Sequence, residues 1–264
     1  MKKIIYILAL ASTLLSCSKE IELDYKDIDV IPVIEGHLTP EAAEVKITKS
    51  RNMDDSTKCA GLRVDDVRII APDGSETPLK YQQDGCYRPD NKINPTEGET
   101  YTLKVTIDGV EYTGSSTMMN KVEITEPQFV WANLMDWMQV MECETTNIPE
   151  GYEAYGWARI HRNGKFYMSG VAKTKGDSPI DIGLYYDSDM ENDKDMILES
   201  GDKLYFELRT IDEKVYNYIS EYNQNSNNPR QFFSTSVEDK ICLGFFAVYD
   251  QVVYDITYVK TAHE

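Results

Sequence analysis

ETYTLKVTIDGVEYT, residues 99–113, is the stretch from which the fold of this chain is read. Tyr101, Leu103, Val105 and Ile107 alternate with Thr102, Lys104 and Thr106. That period of two puts one face of a strand in a core and the other in water. Asp108-Gly109 interrupts the pattern before Val110-Glu111-Tyr112-Thr113 resumes it. Asp-Gly suits the two positive-φ positions of a type I′ turn, so the stretch predicts a β-hairpin. On its N-terminal side, VIPVIEGHLT (30–39), EVKITKS (44–50), VDDVRIIA (64–71) and PLKYQ (78–82) are further strand-type runs. Together they predict a small antiparallel sandwich up to about residue 118.

On its C-terminal side the strand character continues. Asn163-Gly164 repeats the turn device between Trp157-Ala158-Arg159-Ile160 and Phe166-Tyr167-Met168, and KLYFELRT (203–210) is a strand. Asp212 then offers an N-cap carboxylate. Val215, Tyr218, Ile219 and Tyr222 fall on one helical face. CLGFFAVY (242–249) and VVYDITYV (252–259) are expected to pair as a closing hairpin. No period of 20–50 residues appears, which excludes solenoids and propellers. The fold class is therefore mostly β. An Ig-like or transthyretin-like antiparallel sandwich at 30–118 precedes a second antiparallel β domain at 119–264, with one short helix near 213–224.

The amino terminus speaks to location. Met1-Lys2-Lys3 and the apolar run from Ile4 to Leu15 form the first parts of a secretory signal peptide at 1–16. Twelve helical residues reach only about 18 Å, against a hydrocarbon core of roughly 30 Å. Leu14-Leu15-Ser16-Cys17 resembles the bacterial lipobox. In that chemistry Cys17 is the lipid attachment site. Each buried methylene contributes about 0.8 kcal/mol, so two or three acyl chains hold a protein firmly in the bilayer. Residues 17–29 form an acidic leader whose start, SKEIELD, resembles the surface-export signal of Bacteroidetes lipoproteins. The expected location is the outer membrane, lipid-anchored and facing the exterior.

Among the 264 residues, 27 Lys and Arg stand against 45 Asp and Glu, a net charge of −18. Such a chain does not displace counterions from phosphates, so no nucleic-acid partner is expected. It is also repelled by anionic headgroups and should stand off the membrane on its leader.

The order VIEGHLT, VDDVRIIAPDG, DGCYRPD and EGETYTLKVTIDGVEYTGSST is similar to the opening of the domain-of-unknown-function family numbered 4249. GDKLYFELRTIDEKVYNYI and ICLGFFAVYD resemble its second half. The resemblance implies a Bacteroidetes lipoprotein, of the kind commonly encoded beside TonB-dependent outer-membrane transporters. It transfers no catalytic residue. Cys59 and Cys86 depart from what the family generally requires.

Four cysteines remain beside Cys17. An even number in an exported chain points to disulfides. Of three connectivities, Cys59–Cys86 and Cys143–Cys242 are favoured because each pair then stays within one core. Chain entropy gives about 3–4 kcal/mol for the shorter loop and about 4.7 for the longer; the alternative is four buried free thiols. Sulfur spacing and the absence of a nearby His speak against zinc.

Asp187, Asp189, Glu191, Asp193 and Asp195 alternate in one segment, either a solvated loop or a cradle for Ca²⁺. Asn192 and Leu198 stand where an EF-hand needs Gly and Glu, which favours the solvated loop. No other cofactor is expected. Trp131, Trp137 and Trp157, with Tyr152 and Tyr155, flank the break at Asn147-Ile148-Pro149-Glu150-Gly151. They are either strand-packing aromatics or a binding face for a small molecule, glycan or peptide.

His37, His161 and His263 are the only histidines, and no nucleophile elbow, HExxH or phosphate loop occurs. No enzymatic activity is expected. The expected function is a non-catalytic binding or accessory component of a TonB-dependent nutrient uptake system. The alternative is a structural or adhesive surface lipoprotein.

Overall fold

The computed structural model describes residues 31–51, 59–131, 139–184, 197–224 and 231–260. Cys17, Trp137 and the acidic residues Asp187, Asp189, Glu191, Asp193 and Asp195 lie outside these. The chain is mostly β, as its alternation dictates. In the first half the strands are β1 (Pro32–Leu38), β2 (Ala43–Lys49), β3 (Asp66–Ile70), β4 (Glu76–Tyr81), β5 (Cys86–Pro89), β6 (Thr100–Ile107) and β7 (Val110–Thr117). Next come β8 (Gln128–Trp131), β9 (Gln139–Glu144), β10 (Glu153–Arg162), β11 (Lys165–Lys175), β12 (Pro179–Leu184) and β13 (Lys203–Ile211). The helix α1 (Glu213–Gln224) precedes β14 (Ser234–Thr235), β15 (Leu243–Val248) and β16 (Asp250–Thr257).

Among the described residues these strands form three sheets. The largest has nine strands in the order β14-β7-β6-β3-β4-β5-β2-β1-β15, the second four as β11-β10-β13-β16, and the third three as β12-β9-β8. The nine-stranded sheet curls until β15 lies against β7, where Val248 N–H donates to Ser116 Oγ at 3.0 Å. Inside the curl, Ile34, Val45, Ile47, Leu103, Val105 and Phe246 are fully buried. They are the alternate residues of their strands, which is why the pattern was readable. Both predicted turns form: Asp108 and Gly109 take φ of 49° and 75°, Asn163 and Gly164 of 50° and 77°. Aligned with the right-handed strand twist, these positive-φ pairs close the hairpins β6–β7 and β10–β11.

The four-stranded sheet is the middle layer. Ala158, Ile160, Leu204, Phe206 and Leu208 on one face pack with Met141 and Cys143 of the third sheet. Tyr155, Trp157 and Ile211 on the other join the core of the nine-stranded sheet, with Val215, Tyr218 and Ile219 of α1. Asp212 caps that helix as expected, its Oδ1 accepting from Val215 N–H at 2.8 Å.

Two expectations are corrected. The segment 242–259 is not a closing hairpin. β15 runs parallel to β1, while β16 pairs with β13 in the middle sheet. Gly244 permits this, with φ of 103° and so close an approach to β1 that a Cβ would sit 1.9 Å from Ile34 O. The boundary at 118/119 is likewise not kept, because β14, β15 and α1 from the second part complete the first core. Among the described residues, no helix is long and apolar enough to cross a membrane.

Candidate ligand-binding cleft

Where the chain leaves the first sheet for the others, Met118 to Val122 passes the end of β13 and the loop before β10, enclosing a cleft of about 370 Å³. That volume falls within the range of small-molecule sites. Met118, Val122, Ile148, Tyr155 and Ile211 are buried wall residues, and Tyr152 stands at the rim with 67% of its surface exposed. Unbranched Met side chains give such a wall adaptability.

The walls are fixed by specific bonds. Val122 N–H donates to Thr210 Oγ1 at 2.9 Å, tying the crossing segment to the end of β13. Asn147 clamps the same segment from the other side: its Oδ1 accepts from Glu123 N–H at 2.9 Å and its Nδ2 donates to Lys121 O at 2.8 Å. Buried Asp212 does more than cap α1, since its Oδ2 accepts from Ser116 Oγ at 2.6 Å and Thr117 N–H at 2.7 Å. One carboxylate thus joins the end of β7 to the start of the helix. The loop Pro149–Tyr152 closes with Tyr152 N–H donating to Pro149 O at 3.0 Å, Gly151 supplying the positive φ of 85° at the third position.

Polar groups are few and sit at the mouth. Glu153 pairs with Lys173 at 2.8 Å. That hydrogen bond holds the Glu153 carboxyl below, and the Lys173 ammonium above, its ordinary range. Lys173 also lies 5.4 Å from the Tyr155 ring, and Tyr155 leans on Tyr216 of α1 at 5.0 Å. The arrangement suits an apolar body held against Met, Ile and Tyr, with polar contacts confined to the opening.

The predicted site residues are distributed otherwise. Trp157 is buried on β10, its Nε1 donating to Ser169 Oγ at 2.9 Å and its ring stacked on His37 at 6.1 Å. It packs between sheets and is no exposed platform, a correction. Trp131 ends β8.

None of the four described cysteines is in a disulfide, so the expected bridges Cys59–Cys86 and Cys143–Cys242 are corrected as well. Cys86 opposes Lys46 on β2, while Lys49 N–H bonds Ala60 O and so places Cys59 opposite Ser50. Four residues of strand separate those positions by roughly 13 Å, beyond the reach of a disulfide. Cys143 and Cys242 lie in different cores, and burial pushes the Cys242 thiol up to about 12. Asn147, Ile148 and Pro149 of the break, with Tyr152 and Tyr155 after it, line the cleft. Met118 and Met119 carried no signal, because a segment passing between sheets has no period.

A β protein of two stacked cores with an apolar cleft at their junction is the class these observations define. The chain matches the family model described as a domain of unknown function, DUF4249, over residues 18–254, and it belongs to that family. No curated protein matches it. The match runs through both cores, in keeping with a chain that returns to its first sheet at the end.

Proposed function

We propose that this chain is an outer-membrane lipoprotein, held through acylated Cys17 and facing the cell exterior, that serves a TonB-dependent uptake system as a non-catalytic binding component. The cleft at the sheet junction carries this reading. Its apolar walls favour capture, and its one carboxylate, Glu153, is engaged by Lys173. The lipobox and the acidic leader, taken with a net charge of −18, support a body that stands clear of anionic headgroups. The ligand class that fits is a small molecule, or the apolar tip of a peptide or glycan, with an apolar body of a few hundred Å³.

The test is purification of the tagged full chain from native outer membranes in mild detergent. A co-purifying transporter barrel and an acylated Cys17 by intact mass are expected. An acylated protein that emerges alone would transfer the weight to the structural or adhesive role. An unacylated one would overturn the anchoring.

A further inference from the structure

The face of the middle sheet turned toward β1 and β15 holds a cluster the cleft does not use. Register places Arg209 beside Trp157, Glu207 beside Arg159, and Tyr205 beside His161. Exposure rises along these three rows: Arg209 keeps 7% of its surface, Arg159 is half-buried, and Tyr205 keeps 36%. Phe166, next across the sheet from His161, keeps 58%. The cover over this face therefore thins from Arg209 toward Tyr205 and Phe166.

Arg209 is the unusual member. Its guanidinium lies 4.7 Å from the Trp157 ring and 4.9 Å from the Tyr249 ring, and its Nη2 donates to Glu207 Oε2 at 2.8 Å. Nε and Nη1 are buried with no acceptor among the described residues. Buried donors of a charged group are seldom left so, because the desolvation cost is high. Arg159 shares the same indole at 5.5 Å.

Two guanidiniums thus meet the buried carboxylate of Glu207, with Glu35 desolvated near Arg159 and Asp255 beside Tyr205 at the open end. The field is felt locally. Burial, then Arg209 and Arg159, push His37 down to about 3. Burial and Arg209 likewise lower Arg159. Arg209 and Arg159 are thus held together among the Trp157 and Tyr249 rings.

We propose that the seam binds a small organic carboxylate with a flat apolar body, its oxygens accepting from Arg209 and Arg159 and its body lying along the Tyr205–Phe166 opening. Charge-assisted bonds to guanidinium are the strongest available here, and the rings exclude water from them. Arg159, half-buried at the rim, is the side chain that must swing aside for entry. The inference stands apart from the transporter reading, since it concerns a different face of the molecule.

Sodium benzoate is the probe, with benzyl alcohol and sodium chloride as neutral and simple-anion controls, titrated into the full chain in detergent. The readout is the Arg Nε–Hε resonances with the thermal midpoint beside them. A saturable benzoate shift in the millimolar range, absent with both controls, is expected. Arg209→Lys should weaken it by about tenfold or more, and Arg159→Gln by several-fold. Glu153→Gln in the cleft should leave it unchanged.

Equal responses to benzoate and benzyl alcohol would overturn the proposal. So would an unaltered affinity in Arg159→Gln, which decides the matter if Arg209→Lys does not fold. Absence of saturation would do the same.

Discussion

The two faces of the middle sheet are made from the same strands and could hardly differ more. Toward the third sheet, β13 presents Leu204, Phe206 and Leu208, each at most 1% exposed. Toward the first sheet it presents Tyr205, Glu207 and Arg209. β1 repeats the contrast, with Ile34 and Leu38 inside the curl and Glu35 and His37 on its back. One side of each strand makes an ordinary apolar core. The other makes a seam of rings and charges that is covered nonetheless. The lesson is that burial and apolarity separate when a third layer is added: a face written as a solvent face becomes an interface.

The largest effects should come from the apolar side. Phe206→Ala removes a fully buried ring from the middle of the core shared by the second and third sheets. A loss of about 3–5 kcal/mol is expected from urea denaturation. A loss below about 1 kcal/mol would mean that this core is loosely packed.

The seam should answer differently. Glu207→Ala leaves Arg209 buried without the carboxylate it pairs with, and breaking a buried pair from one side costs about 3 kcal/mol or more. Replacing both, as Glu207→Leu with Arg209→Met, should return most of that loss, because the pair's desolvation cost is removed with it. No comparable rescue exists for Phe206→Ala. A double variant as unstable as the single would show that the seam gains more from its charges than their desolvation costs.

A third difference is in pH. His37 is held near 3 in the folded protein, against about 6.5 when exposed. The unfolded chain therefore takes a proton below pH 6.5 that the folded chain refuses. Stability is complete above that value and falls steadily as the pH drops toward 3. His37→Phe keeps a ring among Trp157, Phe245 and Tyr249 and removes the titration. Its denaturation midpoint should stay flat between pH 6.5 and 4.5, where the wild type declines. Parallel curves would remove His37 from the account.

Much of this was legible in the sequence, and what was not shares one cause. Alternation located β1 to β4 and β6 within two residues, Asp-Gly and Asn-Gly named their turns, and Asp212 with Val215, Tyr218 and Ile219 gave the helix. These signals are local. The parallel pairing of β1 with β15 joins residues about two hundred positions apart, and no local signal encodes it. KLYFELRT reads correctly as a strand, yet nothing in it says that Glu207 and Arg209 will be roofed over. The cleft was half-visible for the same reason. Its loop, Asn147 to Tyr152, is punctuated by Pro149 and Gly151, whereas Met118 and Met119 acquire meaning only once β10 and β13 are beside them.

The smallest effect bears on whether the two regions unfold as one. Gly109 and Gly164 sit at matching turn positions in the first and middle sheets, at φ of 75° and 77°, with open space where a Cβ would go. Alanine at either therefore adds backbone strain and nothing else, about 1 kcal/mol. If residues 30–118 formed a free-standing domain, Gly109→Ala would move one transition and Gly164→Ala another. The shared core argues against that. β15 closes the first sheet, α1 packs on it, and Tyr155 and Trp157 of the middle sheet are buried in it. Both variants should accordingly lower one calorimetric transition by similar amounts. Two separable transitions, each answering to one glycine, would restore the boundary that the sequence suggested.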